Sequence, residues 1–151
     1  MSRQLLLLAA AAGSLALLLG AFAFQAIGYA PCQLCLWQRW PHGAAVLIAA
    51  LALVSQKGWL AWVGAAAALT TAAIGVFHVG VEQAWWEGLA SCTANALAGV
   101  ATSDLLSTDT TVGAPITCGT AAWSLFGISM AGYNVLFSLI FAGLWVKAAR
   151  S

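Results

Sequence analysis

Charge is what this sequence has least of. Only 6% of its 151 residues are charged, five basic and four acidic, against about 25% in an ordinary soluble domain. So few charges cannot cover a water-soluble fold of this size. The basic residues form no cluster, which excludes a nucleic-acid surface, because such surfaces neutralise phosphates with grouped Lys and Arg. Disorder is excluded as well: a composition that is 63% hydrophobic and holds eight Trp is the reverse of a disordered one. What remains is an integral membrane protein of one domain.

The charges Arg3, Arg39, Lys57, Glu82, Glu87, Asp104, Asp109, Lys147 and Arg150 also divide the chain. Four long uncharged stretches lie between them, at 4–38, 40–56, 58–81 and 110–146. A spanning helix needs roughly 20 apolar residues, so each stretch holds one helix. The expectation is an all-α four-helix membrane bundle, with helices at about 5–27, 36–54, 59–80 and 124–146. The connections are a short link at about 28–35, a tight turn at 55–58 and a long loop at about 81–123. The runs do not alternate as the strands of a membrane barrel do. Within the long loop, 101–113 is rich in Ser, Thr and Asp and reads as exposed. Trp85, Trp86 and Trp123 suit membrane–water interfaces.

Orientation follows from Lys and Arg, which favour the cytoplasmic side. Arg3, Lys57, Lys147 and Arg150 fall on one side of the expected bundle and Arg39 on or near the other. Both termini and the 55–58 turn are therefore expected inside, with the short link and the long loop outside. Arg3, a Leu/Ala stretch and Ala21-Phe22-Ala23 also loosely resemble a cleavable signal peptide. That apolar stretch is longer than a typical signal core, so a retained first helix is expected.

All four cysteines, Cys32, Cys35, Cys92 and Cys118, fall on the outward side. In a bacterium that side is the periplasm, where disulfides persist. Cys32-Gln33-Leu34-Cys35 is a C-x-x-C motif, the spacing of thiol–disulfide oxidoreductases. A bridge across it closes too small a loop to stabilise much, which favours redox chemistry over structure. Cys92 and Cys118 flank a long loop segment. A bridge there would leave sulfurs that a partner can reach, and exposed bridges tend to be labile; redox and structural readings both stay open for this pair. Zinc sites built from four cysteines usually come as two short-spaced pairs, and the second spacing here is wrong, so no metal site is expected.

Arg39 lies one helical turn after Cys35, on the same helix face. An Arg this deep in a spanning helix is costly and usually functional. It suits a thiolate at Cys35 or an anionic ligand such as a reduced quinone oxygen, and the helix N-terminus adds positive potential there. The plainer reading is an Arg snorkelling to the headgroups. Trp37 and Trp40 suit either an apolar wall for a flat ring or interface anchoring. His78 and Glu82 are four apart and share a face near the outer end of helix three; Glu82 is expected to pair with Arg39, or either residue to handle quinone protons. His42 and His78 also keep open a haem held by two histidines, and a membrane scaffold with two structural disulfides remains a further class.

Pro31-Cys32-Gln33-Leu34-Cys35-Leu36-Trp37-Gln38-Arg39, the Cys92/Cys118 pair and the segment from Cys118 to Asn134 resemble the disulfide bond formation protein B (DsbB) family over essentially the whole chain. The resemblance implies a thiol oxidase of the bacterial inner membrane that reoxidises a periplasmic thioredoxin-like DsbA protein and passes electrons to the membrane quinone pool, as ubiquinone or menaquinone. It implies that Cys92 is attacked by the reduced partner, that Cys118 is released and attacks Cys32, and that Cys35 faces the quinone supported by Arg39. Some members carry a His near the outer end of helix three as a quinone contact; in an ungapped reading Glu82 stands there in this chain, with His78 one turn earlier.

Overall fold

A computed structural model describes residues 2–90, Cys92 and 117–151. It contains four long helices: α1 Arg3–Ala26, α2 Gln33–Ser55, α3 Trp59–Glu82 and α4 Met130–Arg150. Three of them, α1, α3 and α4, are long and apolar enough to cross a membrane. The fourth, α2, carries Gln33, Gln38, Arg39 and His42 within its apolar run. Large apolar side chains such as Leu8, Leu19, Leu51 and Ile140 lie exposed on the outer faces, as lipid-facing residues do when the solvent is itself apolar. The protein is a helical membrane protein.

Each helix packs on two others: α1 on α2 and α4, and α3 on α2 and α4. Alanine lines the seams, with Ala45, Ala49, Ala52, Ala61, Ala65, Ala68, Ala142 and Ala148 buried in one cluster with Leu6, Leu7 and Trp145. Small residues let helix backbones approach closely, which is what drives association in lipid. Gly64 shows a close use of this: a Cβ there would sit 2.4 Å from the ring of the fully buried Trp145. At this end of the bundle Arg3 donates to the carbonyls of Gln56 (3.3 Å) and Lys57 (3.0 Å). The start of α1 is thereby fixed to the α2–α3 turn, whose Gln56 adopts a left-handed φ of 56°.

Two elements differ from expectation. Helix four begins at Met130, not near residue 124. The preceding residues form a small antiparallel hairpin, β1 Ser124–Leu125 paired with β2 Ile128–Ser129. Its turn residues Phe126 and Gly127 both have positive φ, 51° and 77°, the geometry of a two-residue hairpin turn. Periodicity alone cannot separate so short an apolar pairing from the first turn of a helix. Helix two begins earlier than expected, at Gln33, so the C-x-x-C motif belongs to the helix start. The 101–113 segment, with Asp104 and Asp109, lies outside the described residues.

Candidate redox site

The site begins with a helix cap. Cys32 occupies the N-cap position of α2, and its Sγ accepts the backbone N–H of Cys35 at 3.2 Å. A cap satisfies one of the orphan donors at a helix start; here the capping atom is also a redox atom. The same spacing sets the two sulfurs 2.7 Å apart, both unbridged. The hydrogen bond with Cys35, together with burial, pushes the Cys32 thiol far above its ordinary range.

The second pair is bridged, Cys92 to Cys118, with Cα atoms 5.4 Å apart. It is not remote from the first. Cys32, Leu34, Val81, Cys92 and Cys118 form one buried cluster.

His78 stands between the pairs. Its ring is buried, with Nε2 3.5 Å from Cys32 Sγ and 3.7 Å from Glu82 Oε1, and the Cys118 backbone also faces it. Behind it runs a buried polar chain that the apolar composition of the helices does not advertise. Gln38 Nε2 donates to His78 Nδ1 at 2.9 Å and to the Leu34 carbonyl at 3.2 Å. Asn134 Nδ2 donates to Gln38 Oε1 at 2.6 Å and to Thr71 Oγ1 at 3.1 Å. Asn134 Oδ1 receives His42 Nε2 at 2.7 Å and the Ser138 hydroxyl at 3.2 Å. The two amides occupy the path between the His42 and His78 rings, where a bis-His haem would need its macrocycle. Sequence reading missed this network. Its signal was present as spacing: Gln38 and His42 are four apart on one helix, Asn134 and Ser138 four apart on another, and Thr71 and His78 seven apart on the third.

Arg39 and Glu82 do not pair as expected. Arg39 reaches back to α1, donating to Gln25 Oε1 at 2.7 Å and to the Ala21 carbonyl at 3.4 Å, with its guanidinium 4.9 Å from the Phe22 ring centre. Glu82 instead accepts the hydroxyl of Ser129, the residue that caps α4. The hairpin ends at Ser129 and so places this partner beside Glu82.

Cys35, Arg39, His78 and Glu82 nonetheless share one cavity of about 790 Å³, to which all four helices contribute lining residues. Its apolar walls include Leu17, Phe24, Tyr133 and Phe137. Trp37 and Trp40 are not among its lining residues; both are exposed on the outside of α2. The Nε–H of Arg39 is buried with no partner among the described residues. Cys32, Cys35 and His78 also have their ligating atoms within 4.8 Å of one another, a grouping close enough to consider for a metal ion.

A helical membrane protein with an unbridged C-x-x-C pair beside a bridged loop pair is the arrangement the family comparison speaks to. Residues 2–148 match the family described as disulfide bond formation protein DsbB. The chain belongs to the DsbB family. Neither a curated protein nor a solved structure matches it. Membership makes this DsbB-family chain a membrane thiol oxidoreductase of disulfide bond formation.

Proposed function

We propose that this chain reoxidises a reduced periplasmic thioredoxin-like DsbA-type dithiol and delivers the electrons to a membrane quinone, ubiquinone or menaquinone. The observation that carries the reading is the meeting of two cysteine pairs in one buried cluster at the wall of a cavity that holds Cys35 and Arg39. A partner thiolate attacks Cys92 and releases Cys118. Cys118 attacks Cys32, and Cys35 leaves as a thiolate at the start of α2, where the helix dipole favours negative charge. Its volume suits a small-molecule site, its walls are apolar and aromatic, and its polar groups are few and close to Cys35. These features fit a quinone ring. Bound there, a quinone supplies the terminal acceptor for two electrons and two protons, a driving force that no group in the chain stores. Arg39 holds its charge near Cys35 through its contacts to α1, and Glu82 and His78 offer proton-handling groups in the same cavity.

All four helices span the bacterial inner membrane in this reading. The Arg3, Lys57, Lys147 and Arg150 end faces the cytoplasm, as the bias of Lys and Arg predicts. The test is quinone reduction by the purified protein with reduced partner, in single Cys→Ser variants. Loss of quinone reduction in Cys35→Ser, and loss of the partner mixed disulfide in Cys92→Ser, are expected. Full quinone reduction by Cys35→Ser refutes the route.

A further inference from the structure

The buried polar chain settles a detail of His78 that has chemical consequences. Leu34 and Thr71 present backbone carbonyls, which only accept. Gln38 donates to the first and Asn134 to the second, the latter at 3.4 Å. Neither amide can be turned over without setting oxygen against oxygen. Gln38 therefore presents N–H to His78 Nδ1, which must be the bare nitrogen. A neutral ring then carries its proton on Nε2. That Nε2–H lies 3.5 Å from Cys32 Sγ, with the Cys118 backbone and Glu82 Oε1 as its other neighbours.

Cys32 Sγ thus faces two N–H donors, the backbone amide of Cys35 and the ring of His78. We propose that this pair of donors is a thiolate cradle, and that His78 is a catalytic residue acting on the Cys32 sulfur in electron transfer between the cysteine pairs. The proposal rests on the route given under Proposed function. After Cys118 has attacked Cys32, the two pairs are joined by a Cys118–Cys32 bond. Cys92 is still held in the mixed disulfide with the partner at that point. The partner's second thiolate attacks the partner's own sulfur in that bond, the partner leaves as a disulfide, and the released Cys92 thiolate attacks Cys118 Sγ. The Cys92–Cys118 bond forms, the Cys118–Cys32 bond breaks, and the electron pair stays on Cys32 Sγ. Cys92 is oxidised and Cys32 reduced, and the proton that the partner's second thiol gives up to solvent is matched by one that the Cys32/Cys35 pair takes up. A better-stabilised thiolate is the faster leaving group, and a preformed donor acts on charge as it develops. The charged and titratable groups facing Cys32 are Cys35 and Arg39 on its own helix and His78 and Glu82 on α3. Of these side chains, His78 is the one whose locked N–H lies against the sulfur. The same lock disfavours a metal at Cys32, Cys35 and His78, because a protonated Nε2 has no lone pair to give.

The test isolates Cys32 in a Cys35→Ser background, with the Cys92–Cys118 bridge intact, and follows its alkylation by iodoacetamide against pH. His78→Phe is expected to slow alkylation at neutral pH about tenfold, moving the profile up by about one pH unit. His78→Gln restores a donor and is expected to recover most of the rate. Gln38→Met keeps His78 but frees its tautomer and is expected to fall between. In the chain with all four cysteines, His78→Phe is expected to accumulate the Cys118–Cys32 species during reaction with a reduced partner, read by non-reducing peptide mapping. Superimposable alkylation profiles for His78→Phe and its parent overturn the proposal. So does zinc binding by the dithiol form that His78→Phe abolishes, because it demands a bare Nε2. If alkylation shifts but no electrons pass between the pairs even in the parent, the route fails and the donor assignment stands.

Discussion

Asn134→Ala is the most direct probe of the buried polar chain. Asn134 joins three helices: it receives His42 Nε2 and donates to Gln38 Oε1, both from α2, and donates to Thr71 on α3. Truncation leaves the His42 N–H, the Gln38 carbonyl oxygen and the Ser138 hydroxyl without their Asn134 partner, whereas Thr71 keeps its own bond to the Gln38 backbone. Interhelical hydrogen bonds in membrane proteins average about 0.6 kcal/mol and reach about 1.7. Three orphaned groups therefore cost about 2–5 kcal/mol. At about 2–4 °C per kcal/mol for a chain of this size, the melting temperature in detergent is expected to fall by about 4–20 °C. A double-mutant cycle with Gln38→Ala separates the bond from a general packing loss. The two share one hydrogen bond, so their costs are expected to be less than additive by about 1 kcal/mol, outside the few tenths seen for independent sites. Additive costs, or a melting temperature within about 1 °C of the parent, refute the network as a structural unit.

Two further outcomes follow from the geometry. Cys32 is buried and its thiol pKa is raised, whereas Cys35 is partly exposed, so substoichiometric iodoacetamide at neutral pH is expected to label Cys35 ahead of Cys32, with label on Cys32 growing as pH rises into the alkaline range. Equal labelling at neutral pH, read by peptide mass spectrometry, contradicts that order. Gly64→Ala drives a methyl group into the Trp145 ring and is expected to cost about 1–3 kcal/mol, the usual penalty of overpacking. Gly143→Ala on α4 meets nothing within 4 Å and is expected to be neutral or mildly stabilising in the same melt, since Ala is the better helix former.

The scarcity of charge and the long apolar runs were enough to read a helical membrane bundle, because lipid leaves the backbone few alternatives. The redox motif was legible for a similar reason: C-x-x-C spacing is local, and a local motif folds where it stands. The partners of Arg39 and Glu82 were not local. Their expected pairing assumed that opposite charges at similar depth find each other. In the structure Arg39 turns to Gln25 and Phe22 on α1, while a hairpin invisible to periodicity supplies Ser129 to Glu82.

His78 shows the same limit in a more consequential form. Its position near the outer end of helix three pointed to the cavity, and it does line the cavity. What the one-dimensional pattern hid is which nitrogen carries the proton, and that is decided by Leu34 and Thr71 through two amides on different helices. A hydrogen bond that begins at a backbone carbonyl propagates in one direction only, because a carbonyl cannot donate. The chain from Leu34 and Thr71 through Gln38 therefore ends in a single outcome, a ring N–H facing the Cys32 sulfur. The helix start at Gln33 contributes the Cys35 backbone N–H at the same atom. Two donors from independent structural causes, a helix cap and a buried amide chain, converge on one sulfur of the redox-motif pair, and that convergence is the physical ground for treating Cys32 as the relay point between the pairs.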